Sequence, residues 1–174
     1  ATNVNSGGRF DEMYRLEGAA NHVSWFQIGD SGAELFYLPT HPPAGAPCGP
    51  LAAAGYRYIA YHVRGFTGYI SRLEAKGVGV TSAESSHGRC AKVSGPDGEN
   101  IILFDNRENS RAGGVAGIKE TGVVITGKAE IYQEFFGEIG LEKTGSGPAD
   151  FIQPLFGYDG ETRLSTSGLL GGRP

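Results

Sequence analysis

Three side chains in this sequence have the types and spacing for proton chemistry. Glu34 stands in the run AELFYL, residues 33–38. Strand alternation would put it on one face with Phe36 and Leu38. A glutamate on an apolar face holds its proton more tightly than one in water and serves as a general base. The alternative is a solvent-facing strand residue. Tyr58, Ala60 and His62 alternate along residues 56–63, so Tyr58 and His62 share a face. A histidine there works as acid or base near neutral pH. The alternative is a hydrogen-bonded structural histidine at a strand end. Glu34, His62 and Tyr58 are therefore the candidate catalytic residues.

Around them stand candidates for ligand binding. Trp25, Phe36 and Tyr56, with Phe26 and Tyr61, either line an aromatic pocket for a planar ligand or belong to an ordinary core. Arg89 would meet an anionic ligand, or is an exposed strand arginine. His87 lies in the loop SSHGR and is either a surface residue or part of a site. His22 opens a strand, and His41 sits in a proline-rich connection. Ser85, Ser86 and His87 form no triad, since no nucleophile elbow surrounds them.

The elements that must position these residues follow from hydrophobic periodicity. Residues 22–28 and 33–38 read as strands joined by the turn Gly29-Asp30-Ser31-Gly32. Residues 39–55 are rich in proline, glycine and alanine and read as a long connection. A strand at 56–63 leads to a helix over 67–76, with Phe66, Ile70 and Leu73 as its stripe and Gly77 at its end. Short strands are expected at 78–80, 89–93 and 100–105, the last after the turn Gly95-Pro96-Asp97-Gly98. The order β, α, β, β, β thus fills residues 56–105. After a linker at 106–117, a strand over 118–125 and a helix over 128–139 repeat the opening of that unit. The chain divides into a flexible arm (1–11), the end of one unit with its connection (12–55), a complete unit (56–105), the linker (106–117), the start of a further unit (118–165) and a flexible tail (166–174). A hairpin is expected near Tyr158-Asp159-Gly160.

Composition bounds the rest. The 174 residues are 39% hydrophobic, enough for a packed interior. The net charge is −4 without any lysine or arginine run, which argues against nucleic acid as a partner. The 29 glycines suit a many-turned β protein. Two cysteines, Cys48 and Cys90, are too few for a disulfide framework and form no CxxC, so free thiols in a reducing cytoplasm are expected. No apolar stretch approaches the length of a membrane span, and no signal peptide is visible. The chain begins at Ala1; the expectation is processing, trimming or a piece of a longer chain.

The stretch from Tyr58 to Asp105, with its opening YIAYHVRGFTGYISRLEAKGV and its turn and strand GPDGENIILFD, resembles the vicinal oxygen chelate superfamily. This superfamily includes glyoxalases, bleomycin-resistance proteins and extradiol dioxygenases. GDSGAELFYLP resembles the last strand of a preceding unit, and ETGVVITGKAEIYQEFFGEIGLEK the start of a following one. The resemblance implies an α+β fold of repeated βαβββ units, an open cupped sheet and helices outside it. It also implies a metal held by His or Glu on the first and last strands of each unit. Those positions fall at Tyr58, at Ile102 and near Thr121, and Glu34 alone matches a family acid. One carboxylate does not make a catalytic metal site. No cofactor is therefore expected, with a divalent metal as the alternative if another unit or chain supplies ligands.

The functional expectation is a cleft for a small aromatic or oxygenated molecule, in a metal-independent acid–base enzyme or a binding protein. The alternatives are a metal-dependent lyase, isomerase or dioxygenase, and a non-catalytic module of a larger assembly. The expected partners are a small-molecule ligand and a second copy or a longer chain, with no nucleic acid and no membrane.

Overall fold

A computed structural model describes residues 2–6, 12, 15, 17, 18, 20–28, 31–37, 40, 55–107, 113–124, 129–148, 150–157 and 165–171. The architecture is α+β, built on an open, mixed five-stranded sheet.

An interior strand of that sheet is β4 (Gly55–Arg64), whose sequence GYRYIAYHVR alternates aromatic, β-branched and polar residues. Helix α1 (Phe66–Ala75) follows at once. Gly65 enters it in the left-handed conformation, φ 57°, ψ 46°, which any side chain would resist. The helix closes on Gly77 at φ 80°, whose N–H donates to the Glu74 carbonyl at 2.9 Å. Three strands complete the unit: β5 (Val80–Ser85), β6 (Gly88–Ser94) and β7 (Asn100–Asp105). Ser86 and His87 make a two-residue turn between β5 and β6. The chain then returns as β8 (Gly114–Val124). Strand order is β5-β6-β7-β4-β8, with β4 parallel to β7 and antiparallel to β8. The expected βαβββ unit at 56–105 is thus present.

Each face of this sheet has its own apolar layer. On the outer face, Val63, Ala91, Val93 and Leu103 pack against Phe66 and Ile70 of α1. On the inner face, Ala60, Cys90, Ile102 and Phe104 pack against Phe151, Ile152 and Leu155, from the short helix α3 (Ile152–Phe156) and the residue before it. Burial on both faces is why the middle of β7, IILF, is continuously apolar.

The second repeat opens as expected, with α2 (Ala129–Glu138) after β8, followed by β9 (Leu141–Pro148), which pairs with β10 (Ser165–Gly171). A separate three-stranded sheet holds β1 (Thr2–Ser6), β2 (Ala20–Ile28) and β3 (Ser31–Tyr37) in that order.

Several boundaries differ from expectation. Residues 2–6 were assigned to a flexible arm but pair with β2; the alternation of TNVNS is too polar to announce a strand, and the partner supplies its hydrogen bonds. Residues 165–171, expected mostly as tail, form β10 for the same reason. β8 begins at Gly114, within the expected linker, and β5 lies at 80–85, not 78–80. The expected hairpin at 158–160, His41, Cys48 and most of the proline-rich connection lie outside the described residues.

Candidate functional site

Along β4, Tyr58, Ala60 and His62 all face inward, as their alternation predicts. Across the ladder, β8 carries a bulge. Ala60 pairs with Glu120 but Tyr61 pairs with Ile118, so Lys119 is an extra residue on β8. A bulge turns two successive side chains toward one face, and here both Lys119 and Glu120 point inward. Tyr58 donates its hydroxyl to Glu120 Oε1 at 3.0 Å. Lys119 Nζ donates to Glu120 Oε2 at 2.8 Å and stands 4.3 Å from the centroid of the Phe104 ring. The Glu120 carboxylate is thus held at both oxygens by side chains from two strands.

Gly122 makes this arrangement feasible. It is buried and paired with Tyr58, and a Cβ on it would lie 1.9 Å from Tyr58 Cε1. The phenol ring occupies the space that a side chain would take. Burial, and then the Glu120 charge and hydrogen bond, push the Tyr58 hydroxyl far above its ordinary range, so it stays protonated.

His62 completes the cluster. Its Nδ1 is buried and has no hydrogen-bond partner. Burial, followed by the positive charge of Lys119, lowers its pKa from the ordinary 6.5, against the opposing pull of Glu120. His62 is therefore neutral at pH 7 and able to take a proton. Orphaned buried ring nitrogens are rare and point to a function.

The other sequence candidates are placed elsewhere. Glu34 is exposed on β3, in the three-stranded sheet and not in the sheet that carries Tyr58 and His62. Its exposure agrees with the solvent-facing alternative, while the side chains of Phe36 and Leu38, expected on its face, lie outside the described set. Trp25 and Tyr56 are 51% and 76% exposed; Phe36 lies in β3, with its side chain outside the described set. Alternation alone could not tell which face of a thin sheet is covered. Arg89 faces α1, not the site. It donates to Asp105 from Nε at 2.9 Å and from Nη2 at 2.5 Å, donates to Thr67 Oγ1 at 2.9 Å, and lies 5.5 Å over the Phe66 ring. It ties the start of α1 to β6 and β7. His87 stands at the rim, where its ring meets Phe104 and Phe151 edge-on at 6.3 and 6.1 Å.

Lys119 and Glu120 were missed because regular alternation would put one of them on each face. Only the glycine opposite a tyrosine, Gly122 against Tyr58, signals an irregular ladder in the sequence.

The positions implied for a metal do not fit one. Tyr58 is held protonated by Glu120, Ile102 is fully buried beneath α3, and Thr121 is exposed and paired with Ile59, whose alternation points it outward. Among the described residues no three His, Cys, Asp or Glu side chains gather at ion-binding distance.

No protein-family model matches the sequence, and no curated protein does either. Solved structures do match. One is a glyoxalase family protein from Bacillus cereus, with TM-score 0.54 and 20% identity over 60% of this chain and 74% of that one. The fold is glyoxalase-like. A proposed dioxygenase from Bacillus subtilis subsp. subtilis str. 168 also matches, with TM-score 0.54 and 17% identity over 73% of this chain. This chain covers 44% of that protein, less than half its length. At such identities the likeness speaks for the fold alone. Among the described residues no helix is long and apolar enough to cross a membrane.

Proposed function

We propose that the inner face of the five-stranded sheet binds a small oxygenated organic molecule and acts on it by acid–base chemistry without a metal. His62 would remove a proton from carbon beside a carbonyl. Lys119, which spends one N–H on Glu120, would offer another to the oxygen that gains negative charge. Glu120 and Tyr58 would hold Lys119 in place. In a 2-hydroxy carbonyl compound, returning the proton to the former carbonyl carbon while the hydroxyl proton passes to the former carbonyl oxygen gives an isomerisation. Expelling a leaving group, with its bonding electrons, from the carbon on the far side of the deprotonated one gives a lyase reaction. The observation that carries this reading is the buried, unpartnered Nδ1 of a neutral His62 beside Lys119.

A second reading is a binding protein without turnover. The packed aromatic rings of Phe104, Phe151 and His87 on the same face favour it. Both readings are tested by incubating the protein in deuterated water with a panel of 2-hydroxy and 2-oxo carbonyl compounds and aromatic ketones. Acid–base catalysis predicts deuterium at the carbon beside the carbonyl, with the rate reduced about a hundredfold or more in His62→Gln. Ligands that bind without exchange would leave only the binding protein.

A further inference from the structure

The inner face carries a plug made from the chain itself. Phe151, Ile152 and Leu155 are 1%, 4% and 2% exposed and sit among Ala60, Cys90, Ile102 and Phe104. The Phe151 ring stands edge-on to Tyr58 at 6.0 Å and to Phe104 at 5.2 Å. A molecule reaching Tyr58 across this face meets Phe151 first.

The plug is attached in a way that suits release. Helix α3 spans five residues, Ile152–Phe156, far too few to be stable without tertiary contacts. It ends on Gly157 in the left-handed conformation, φ 68°, ψ 30°. Among the described residues its polar ties are few: the Ser86 N–H donates to Asp150 Oδ2 at 2.6 Å, and Lys92 Nζ lies 4.7 Å over the Phe156 ring. The ladder beneath runs from β5 to β8 without α3, and α1 covers its other face independently. Removing α3 therefore uncovers one face of the sheet and leaves its hydrogen bonds and outer layer in place.

We propose that residues 150–157 form a gate that undocks as a unit from the intact sheet and so controls access to the Tyr58 side of the site. The inference rests on the reading of the inner face as a binding site. Short segments that dock through side chains, and not through the ladder of a sheet, can open below the free energy of global unfolding, and gating elements are drawn from such segments.

Cys90 supplies a test that needs no ligand. It is fully buried in the layer beneath α3 and is a free thiol. With Cys48→Ser as background, the rate at which dithionitrobenzoate labels Cys90 is followed against urea concentration. Global unfolding is measured on the same protein. A gate predicts labelling at least about a hundredfold faster than unfolding allows, with a much weaker urea dependence, because little surface is exposed. Asp150→Asn should raise the labelling rate about threefold to tenfold by weakening the tie to Ser86. Phe151→Ala should raise it on the order of a hundredfold. Labelling that follows global unfolding in both rate and urea dependence would overturn the gate. That outcome would leave the deuterium-exchange test of His62 untouched, and failure of the deuterium test would leave this one standing.

Discussion

At the scale of single residues, the site depends on one missing side chain. Gly122→Ala places a methyl group within the Tyr58 ring, so the ring must swing and its bond to Glu120 must break. A loss of about 1–3 kcal/mol is expected from chemical denaturation. Tyr58→Ala in the same chain should make the glycine substitution nearly neutral, and the double-mutant cycle measures this coupling. His62 gives a pH signature. Its folded pKa is below the ordinary 6.5, so the unfolded chain binds the proton more readily. The stability it contributes is complete above pH 6.5 and is lost as pH falls toward the folded value. The melting temperature should decline through that window, and His62→Gln should remove that part of the decline. Of these residues, Tyr58 and His62 were legible from alternation along β4. For Glu34 the sequence left an apolar face and a solvent-facing one both open, because a strand's periodicity says which residues share a face but not which face is buried.

At the scale of elements, Arg89 marks the difference between a charged residue that recognises and one that braces. It holds the first turn of α1 against Asp105, whose side chain is 10% exposed while that of Arg89 is 48% exposed. Arg89→Met should cost about 1 kcal/mol, discounted for this exposure. It should leave any ligand bound at the inner face with unchanged affinity, as isothermal calorimetry would show. The helix stripe of α1 and the strand Asn100–Asp105 were readable because burial on one or both faces imposes clear periods. α3 was not foreseen. Five residues are too short for a period to register, and FIQPLF takes its form from the sheet it meets. Its anchoring responds to acid. The Ser86 N–H holds the Asp150 carboxyl below the usual carboxylate range. Docking is therefore strongest above that range and weakens as pH falls through the lowered value.

For the whole molecule, the repeat order was visible because aliphatic and aromatic residues recur in both openings, 56–80 and 118–141. The two repeats are not equally covered. Phe66 and Ile70 of α1 are buried, whereas Ile131, Phe135 and Ile139 beside α2 are 62%, 58% and 60% exposed. The metal question also belongs at this scale, since ligands from elsewhere would have to join the cluster. Dialysis against a strong chelator is expected to leave the melting temperature and ligand binding unchanged; a fall in either, reversed by adding back one divalent ion, would reassign Glu120 and His62 as ligands.

The interior place of β4, with a partner on each edge, shapes how the chain acquires its structure. Both partners of that strand, β7 and β8, come after it in sequence, and Ile59 must wait for Ile101. During synthesis an aromatic, aliphatic strand remains without neighbours on either edge while α1 and the β5–β6 hairpin emerge. Pairing so distant in sequence is slow, on the order of milliseconds to seconds. Until it happens, the open edges can join those of another molecule. Refolding yield should therefore fall as protein concentration rises, and the soluble fraction recovered after dilution from urea measures that loss.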